Sequence, residues 1–233
     1  MPLIHFTDRH LVRLLATETR RTDTKPRDLA NSHKAVGRFL AGELAEHLEM
    51  EPCDIKHPQG IRQGWKIARE HEIGLLVLMR SGLHVADGVR DILQVAPMFH
   101  AKPTRTVGLN RADLAGLEKE RIKISVVIDS VVNTGTSLEP ILHQLTNRGL
   151  RIFVLSLVSP VATADRLAHD WPEVHFLFAR TSENQYVGKG TTDTGNRLFG
   201  TSHIDDATDG GKRHLPNRDD GNRKVIPFIA HVA

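Results

Sequence analysis

Apolar positions along the chain follow two rhythms. Over residues 27–49, "RDLANSHKAVGRFLAGELAEHLE", Leu29, Val36, Phe39, Leu40, Leu44 and Leu48 recur at helical spacing between polar side chains. This predicts a helix that buries one face. Residues 73–79, "IGLLVLM", are continuously apolar, as a strand covered on both sides would be. The strongest strand signal is 123–129, "KISVVID", which is β-branched and uninterrupted. Further strands are expected at 151–158 and 174–180, with a weaker one at 105–109. Helices are expected at 84–94, 137–148 and 162–170. Gly149 stands where a helix C-terminal glycine belongs, and Pro140 falls early enough in its helix to be tolerated. Strands alternating with helices predict an α/β protein built on a mostly parallel sheet. The stretch between the first helix and residue 73, with "EPCDIKHPQG", reads as loosely ordered punctuation.

Beyond residue 202 the composition changes. Residues 203–224 are rich in Asp, Gly, Arg and Asn and poor in apolar groups, which predicts a solvated, flexible tail. Within 225–232, "VIPFIAHV" could form an edge strand, with Pro227 excluding it from a sheet interior. The expected organisation is one domain over 1–202 and a tail over 203–233.

Composition narrows the function classes. With 39% hydrophobic and 25% charged residues the chain has a globular balance. A formal charge of +3, without Lys/Arg runs interleaved with aromatics, gives no nucleic-acid footprint. The single cysteine, Cys53, excludes an internal disulfide and reads as an incidental thiol near a turn. The 14 histidines form no HExxH or Cys/His zinc spacing. No signal-like N-terminus and no membrane-length apolar run is present, so a cytoplasmic protein is expected.

Candidate chemistry concentrates in "VVIDSVVNTGTS", residues 126–137. Ligands of open α/β sheets sit at the carboxyl ends of strands, where this segment passes from strand through loop to helix. Successive backbone N–H groups ahead of a helix make an anion site. Asn133, Thr134, Thr136 and Ser137 add side-chain donors, and Gly135 permits close main-chain approach. Asp129 is an acceptor suited to sugar hydroxyls beside a phosphate. The combination fits a ribose 5-phosphate, although a strand–Asp–TG segment can also be a structural turn. Neither GxxxxGK[ST] nor GxGxxG occurs, which argues against a nucleotide triphosphatase or a dinucleotide enzyme.

An apolar strand, an acid and a TG loop resemble the phosphoribosyl pyrophosphate (PRPP) motif of the type I phosphoribosyltransferases. More closely, the chain resembles the uracil phosphoribosyltransferase family through four blocks. These are the helix "RDLANSHKAVGRFLAGELA"; "VLMRSGLHVADGV" at 77–89; the PRPP loop; and "YVGKGTTDTGNRLFGT" at 186–201, which is similar to a family close of "PGLGDAGDRxFGT". The resemblance implies a type I phosphoribosyltransferase fold with a small hood. It implies an enzyme that joins PRPP to a uracil-like nucleobase, giving a nucleoside 5′-monophosphate and pyrophosphate. Mg²⁺ would accompany the pyrophosphate, and the chain would form a homodimer or higher homo-oligomer.

The residue roles also follow from the resemblance. Arg80 and the backbone of Ser81 and Gly82 would meet the pyrophosphate, with Arg111 as a second arginine for it. Asp129 would hold the ribose hydroxyls, and Asn133 and Thr134–Ser137 the 5-phosphate. Val187, Gly188, Lys189, Gly190, Thr191 and Thr192 would face the base, with Asp193 near the magnesium-bound pyrophosphate.

The chain departs from the family pattern in three places. Only "ADLAGLEKERIK" separates Arg111 from the PRPP strand, where relatives carry a long arm over the site. The base loop reads "GKGTTDTGNR", with Lys189 for a proline, Thr191 and Thr192 for Leu and Gly, and Asn196 for an acid. Asn133 and Thr136 replace smaller residues in the phosphate loop. These changes open two alternatives to uracil chemistry: a different or anionic base, and a non-catalytic PRPP- or nucleotide-binding sensor. A DNA-binding regulator is disfavoured, because no helix–turn–helix pattern or concentrated basic face appears.

Overall fold

The computed structural model describes residues 3–102, 107–185, 188 and 190–201. Its centre is a six-stranded sheet formed by β1 (Leu3–His5), β4 (Ile73–Leu78), β5 (Met98–Ala101), β6 (Ile124–Val131), β7 (Arg151–Pro160) and β8 (His175–Ser182). A separate hairpin holds β2 (Met50–His57) and β3 (Gly60–Ile67). The sheet order is β1-β8-β7-β6-β4-β5, and every pairing is parallel.

The continuous apolar strands find their explanation in two cores. Leu75, Val77, Val126, Ile128, Phe153 and Leu155 face one layer, packed with α2 (Pro26–Ala45) and α3 (Leu83–Arg90). Leu76, Leu78, Val127, Val154, Phe176 and Phe178 face the other, with α5 (Glu139–Thr146) and α6 (Val161–Asp170). Successive residues alternate between faces, so a strand coated on both sides needs apolar residues at every position. The remaining helices are α1 (His10–Arg20), α4 (Arg111–Lys119) and α7 (Thr194–Phe199).

Two glycines bring α2 and α3 into backbone contact. A Cβ on Gly37 would lie 2.0 Å from Val85 O, and one on Gly88 would lie 2.0 Å from Lys34 O. This contact fixes α3, and with it the chain that leaves β4. Gly82, just before α3, is similarly closed in: a Cβ there would lie 2.4 Å from Ile128 O.

Several expectations are corrected. The stretch after α2 is an antiparallel hairpin, in register from Met50↔Ile67 to His57↔Gly60. It escaped pattern reading because little of it is buried; Trp65 is 66% and Ile61 69% exposed. The strand expected at 105–109 is absent over its described residues. Val107–Leu109 form a turn bound by Gln144, whose side chain accepts from Leu109 N (2.8 Å) and donates to Val107 O (2.9 Å). The strand beside β4 at that edge is β5, four residues that are too short for a period to show. The helix expected from residue 137 starts at Glu139, and the first long helix ends at Ala45. Cys53 is half-buried on the hairpin. No described helix is long and apolar enough to cross a membrane. The tail and the edge strand expected at 225–232 lie outside the described residues.

Replacing Gly88 by Ala forces a methyl group against a backbone carbonyl with no flexible neighbour to yield. We expect a loss of about 1–3 kcal/mol, as overpacked cores show, read as a lower urea midpoint. An unchanged midpoint would mean that α2 and α3 do not meet as described.

Candidate functional site

The tips of β4 and β6 frame a cleft of about 300 Å³. Ser81 follows β4, Asp129 and Val131 belong to β6, and the 132–138 turn leads into α5. Gly188 and Asp193–Gly195 close the far side.

Asp129 is positioned from both strands. Its Oδ1 accepts from Ser81 Oγ (2.5 Å) and from Ser130 N (2.7 Å), and Ser130 Oγ donates back to Ser81 O (2.7 Å). Burial pushes its carboxyl up to about 6 against these hydrogen bonds, with a smaller push from the Asp193 charge. Near neutral pH it is therefore an ionised acceptor lining the cleft.

The turn behind it is braced from outside. Thr163 Oγ1 donates to Asn133 O (2.7 Å) and Arg166 Nη2 to Thr134 O (2.8 Å), both from α6. Arg166 is itself held by Glu139 (2.7 Å) and Asp170 (3.2 Å). With the carbonyls drawn outward, the amides of Thr134, Gly135, Thr136 and Ser137 meet no acceptor among the described residues. Gly135 is required here: its φ is +79°, and a Cβ would press on Arg166 and Leu167. The Thr134 and Thr136 hydroxyls lie 3.0 Å apart at the same lining. Four unengaged amides with adjacent hydroxyls make an anion cradle.

The other expected residues divide. Arg80 is exposed and does not line the cleft; Nη1 donates to Thr201 Oγ1 (2.9 Å) and Nη2 to Asn196 Oδ1 (2.9 Å). Its guanidinium passes beside Gly195, where a Cβ would lie 3.7 Å from Nε. It has no ion pair among the described residues. The Gly82 N–H is engaged by Leu78 O (3.0 Å), so that amide is not offered to a ligand here. Arg111 is exposed on the first turn of α4 and stands apart from the cleft lining. Gly190–Thr192 form a short 3₁₀ turn, while Val187 and Lys189 lie outside the described residues. Asp193 lines the cleft and caps α7 by accepting from Asn196 N (2.8 Å).

Asn196 and Thr201 were not expected in the site, yet together they hold Arg80, with Thr201 Oγ1 also donating to Asn196 Oδ1 (3.0 Å). The change from the family acid at 196 was the available signal. A neutral amide there holds the arginine without neutralising it. No described cluster of three or more His, Cys, Asp or Glu could cage a metal ion. Asp129 and Asp193 nonetheless provide two oxygen donors in the cleft, suiting a cation that arrives bound to phosphate oxygens.

A parallel α/β sheet with a carboxylate and an amide cradle at its strand tips defines the type I phosphoribosyltransferase fold, as expected. The family model for uracil phosphoribosyltransferase matches residues 6–201, and the chain belongs to this family. It is 24% identical to a uracil phosphoribosyltransferase of Staphylococcus carnosus, with 86% of this chain and all of that protein covered. A uracil phosphoribosyltransferase of Caldanaerobacter subterraneus is 27% identical, with 71% of this chain and 82% of the relative covered. Among solved structures, the AQ2163 protein from Aquifex aeolicus superposes with a TM-score of 0.66 at 18% identity, covering 86% of this chain and all of that one.

The raised Asp129 carboxyl has a thermodynamic sign. The folded chain holds this proton more tightly than the unfolded chain, so ionisation of the group lowers stability as pH rises from its ordinary 3.8 to about 6. Asp129→Asn should therefore melt higher than the parent at pH 8 and lose that advantage at pH 4. A difference that stays the same across this range would contradict the assigned burial.

Proposed function

We propose that the chain transfers ribose 5-phosphate from PRPP to a nucleobase of the uracil class, releasing pyrophosphate. One observation carries the reading: within a member of this family, Asp129 lines the same cleft as four residues whose amides meet no acceptor among the described residues. The amides and hydroxyls of Thr134–Ser137 bind the 5-phosphate. Asp129 accepts from the ribose hydroxyls and so orients C1.

The bond between C1 and the pyrophosphate oxygen breaks, a ring nitrogen of the base bonds to C1, and the base loses its N–H proton to solvent or leaving group. Positive charge grows on the ribose and negative charge on the pyrophosphate. Arg80 has no carboxylate partner among the described residues and lies beside Gly195, itself a lining residue of the cleft, from where it can turn towards that negative charge. Asp129 and Asp193 would hold Mg²⁺ through the pyrophosphate, and the ion would supply further charge neutralisation. No nucleophilic side chain takes part.

Self-association is part of this reading. Met50, Pro52, Ile61 and Trp65 share one face of the β2–β3 hairpin by their register, with Asp54, Lys56 and Gln63 between them, and all four are exposed. A second copy of the chain is the partner that this apolar face suits. Trp65→Glu should shift gel-filtration elution to a smaller species; identical elution of both proteins would remove the hairpin from any interface.

Purified full-length protein, PRPP, Mg²⁺ and a panel of nucleobases provide the test. Pyrophosphate release with at least one base is expected, and Arg80→Met should lower the rate by about 100-fold or more. Binding of PRPP without turnover of any base would instead make the chain a non-catalytic binding protein.

A further inference from the structure

A second cavity, of about 220 Å³, adjoins the cleft, with Val131 and Thr194 lining both. Arg20 at the end of α1, Arg180 on β8 and Arg197 on α7 line it together. Among the described residues none of the three pairs with a carboxylate. Arg197 donates to Thr19 O (3.3 Å) and Arg21 O (2.6 Å), which fixes it at the junction of α7 with α1.

Arg180 is the informative member. Its Nε is buried and has no hydrogen-bond partner among the described residues. Burial, and then the neighbouring Arg20 charge, push its guanidinium down to about 10, so it is still a cation at neutral pH. A half-buried cation with an unpaired Nε beside a like charge is unfavourable unless an anion completes the site. The remaining titratable wall is His33. Its Nδ1 lies 2.8 Å from Leu29 O, and burial pushes it down to about 4, so it is neutral near pH 7 and supplies no counter-charge.

Guanidinium forks suit carboxylate and phosphate alike, so it is the apolar part of this cavity's wall that favours an anion carried on a heterocycle over a free phosphate. The first cleft already offers an amide cradle for a tetrahedral phosphate. The second cavity offers guanidinium forks, which match a planar carboxylate through paired hydrogen bonds. Leu157 and Val158 add apolar wall, as the face of a heterocycle requires. We propose that this cavity receives a carboxylate carried by the acceptor base, so that the chain favours a carboxylated pyrimidine over uracil. The inference rests on the transferase reading for its chemistry and on the arginine cavity for its selectivity.

Calorimetry on the full chain with uracil, uracil-6-carboxylate (orotate) and inorganic phosphate as probes tests it, alongside pyrophosphate release from each base. Orotate should bind at least about tenfold more tightly than uracil, as charge-assisted pairing with a desolvated arginine gives. Arg180→Met should remove that preference. Arg20→Gln, on an exposed helix end where folding is not at risk, should weaken orotate in the same direction. Equal binding of the two bases, or orotate affinity indifferent to both variants, overturns the proposal. Inorganic phosphate binding that depends on Arg180 and displaces no orotate also overturns it, by making the cavity a separate phosphate site. If no base releases pyrophosphate while orotate binding still depends on Arg180, the transferase reading fails and the cavity assignment stands. Turnover of uracil alone, unaffected by Arg180→Met, gives the reverse.

Discussion

A single carboxylate joined to two strand tips organises the site. Asp129 lies near the carboxyl end of β6, Ser81 follows β4, and the hydrogen bond between them fixes the relation of an acid to the chain that carries Arg80. Ser130 reinforces the arrangement by donating back to Ser81 O, and Ser156 Oγ in turn donates to Ser130 O (3.1 Å) from β7. Three adjacent strands are thus tied at the edge where ligands of parallel sheets bind. The cost is a partly desolvated acid, visible in its raised pKa. Sites commonly hold such unfavourable groups where a ligand compensates for them.

The rest of the fold serves this edge. The two apolar cores hold β4, β6 and β7, while contacts from α6 hold the carbonyls of Asn133 and Thr134 and the start of α5 holds that of Gly135. The carbonyls of Asn133, Thr134 and Gly135 are already satisfied, while the amides that follow them meet no acceptor among the described residues. The α2–α3 contact through Gly37 and Gly88 sets the other half of the site, since α3 begins immediately after the Arg80 segment.

The strands with two buried faces and the acid–hydroxyl loop were readable in the sequence because their signals are local. An uninterrupted β-branched run permits few alternatives, and the donors of residues 133–137 are contiguous. The hairpin and β5 were not readable: one is exposed on much of its surface, and the other is only four residues long. The arginine cavity was hidden for a different reason. Arg20, Arg180 and Arg197 are scattered along the chain and meet only when α1, β8 and α7 pack together. A family pattern drew attention to Lys189 as the unusual cation near the base, whereas the cavity draws it to Arg180.

The proposed transfer requires that a phosphorylated pentose be gripped at the tip of β6. Titration of the full chain with ribose 5-phosphate, and separately with free ribose, reads that event without requiring catalysis. Saturable heat with ribose 5-phosphate, absent with ribose and abolished by Asp129→Asn, is the expected outcome. No measurable heat with ribose 5-phosphate at millimolar concentration, or binding that ignores the loss of Asp129, would contradict it.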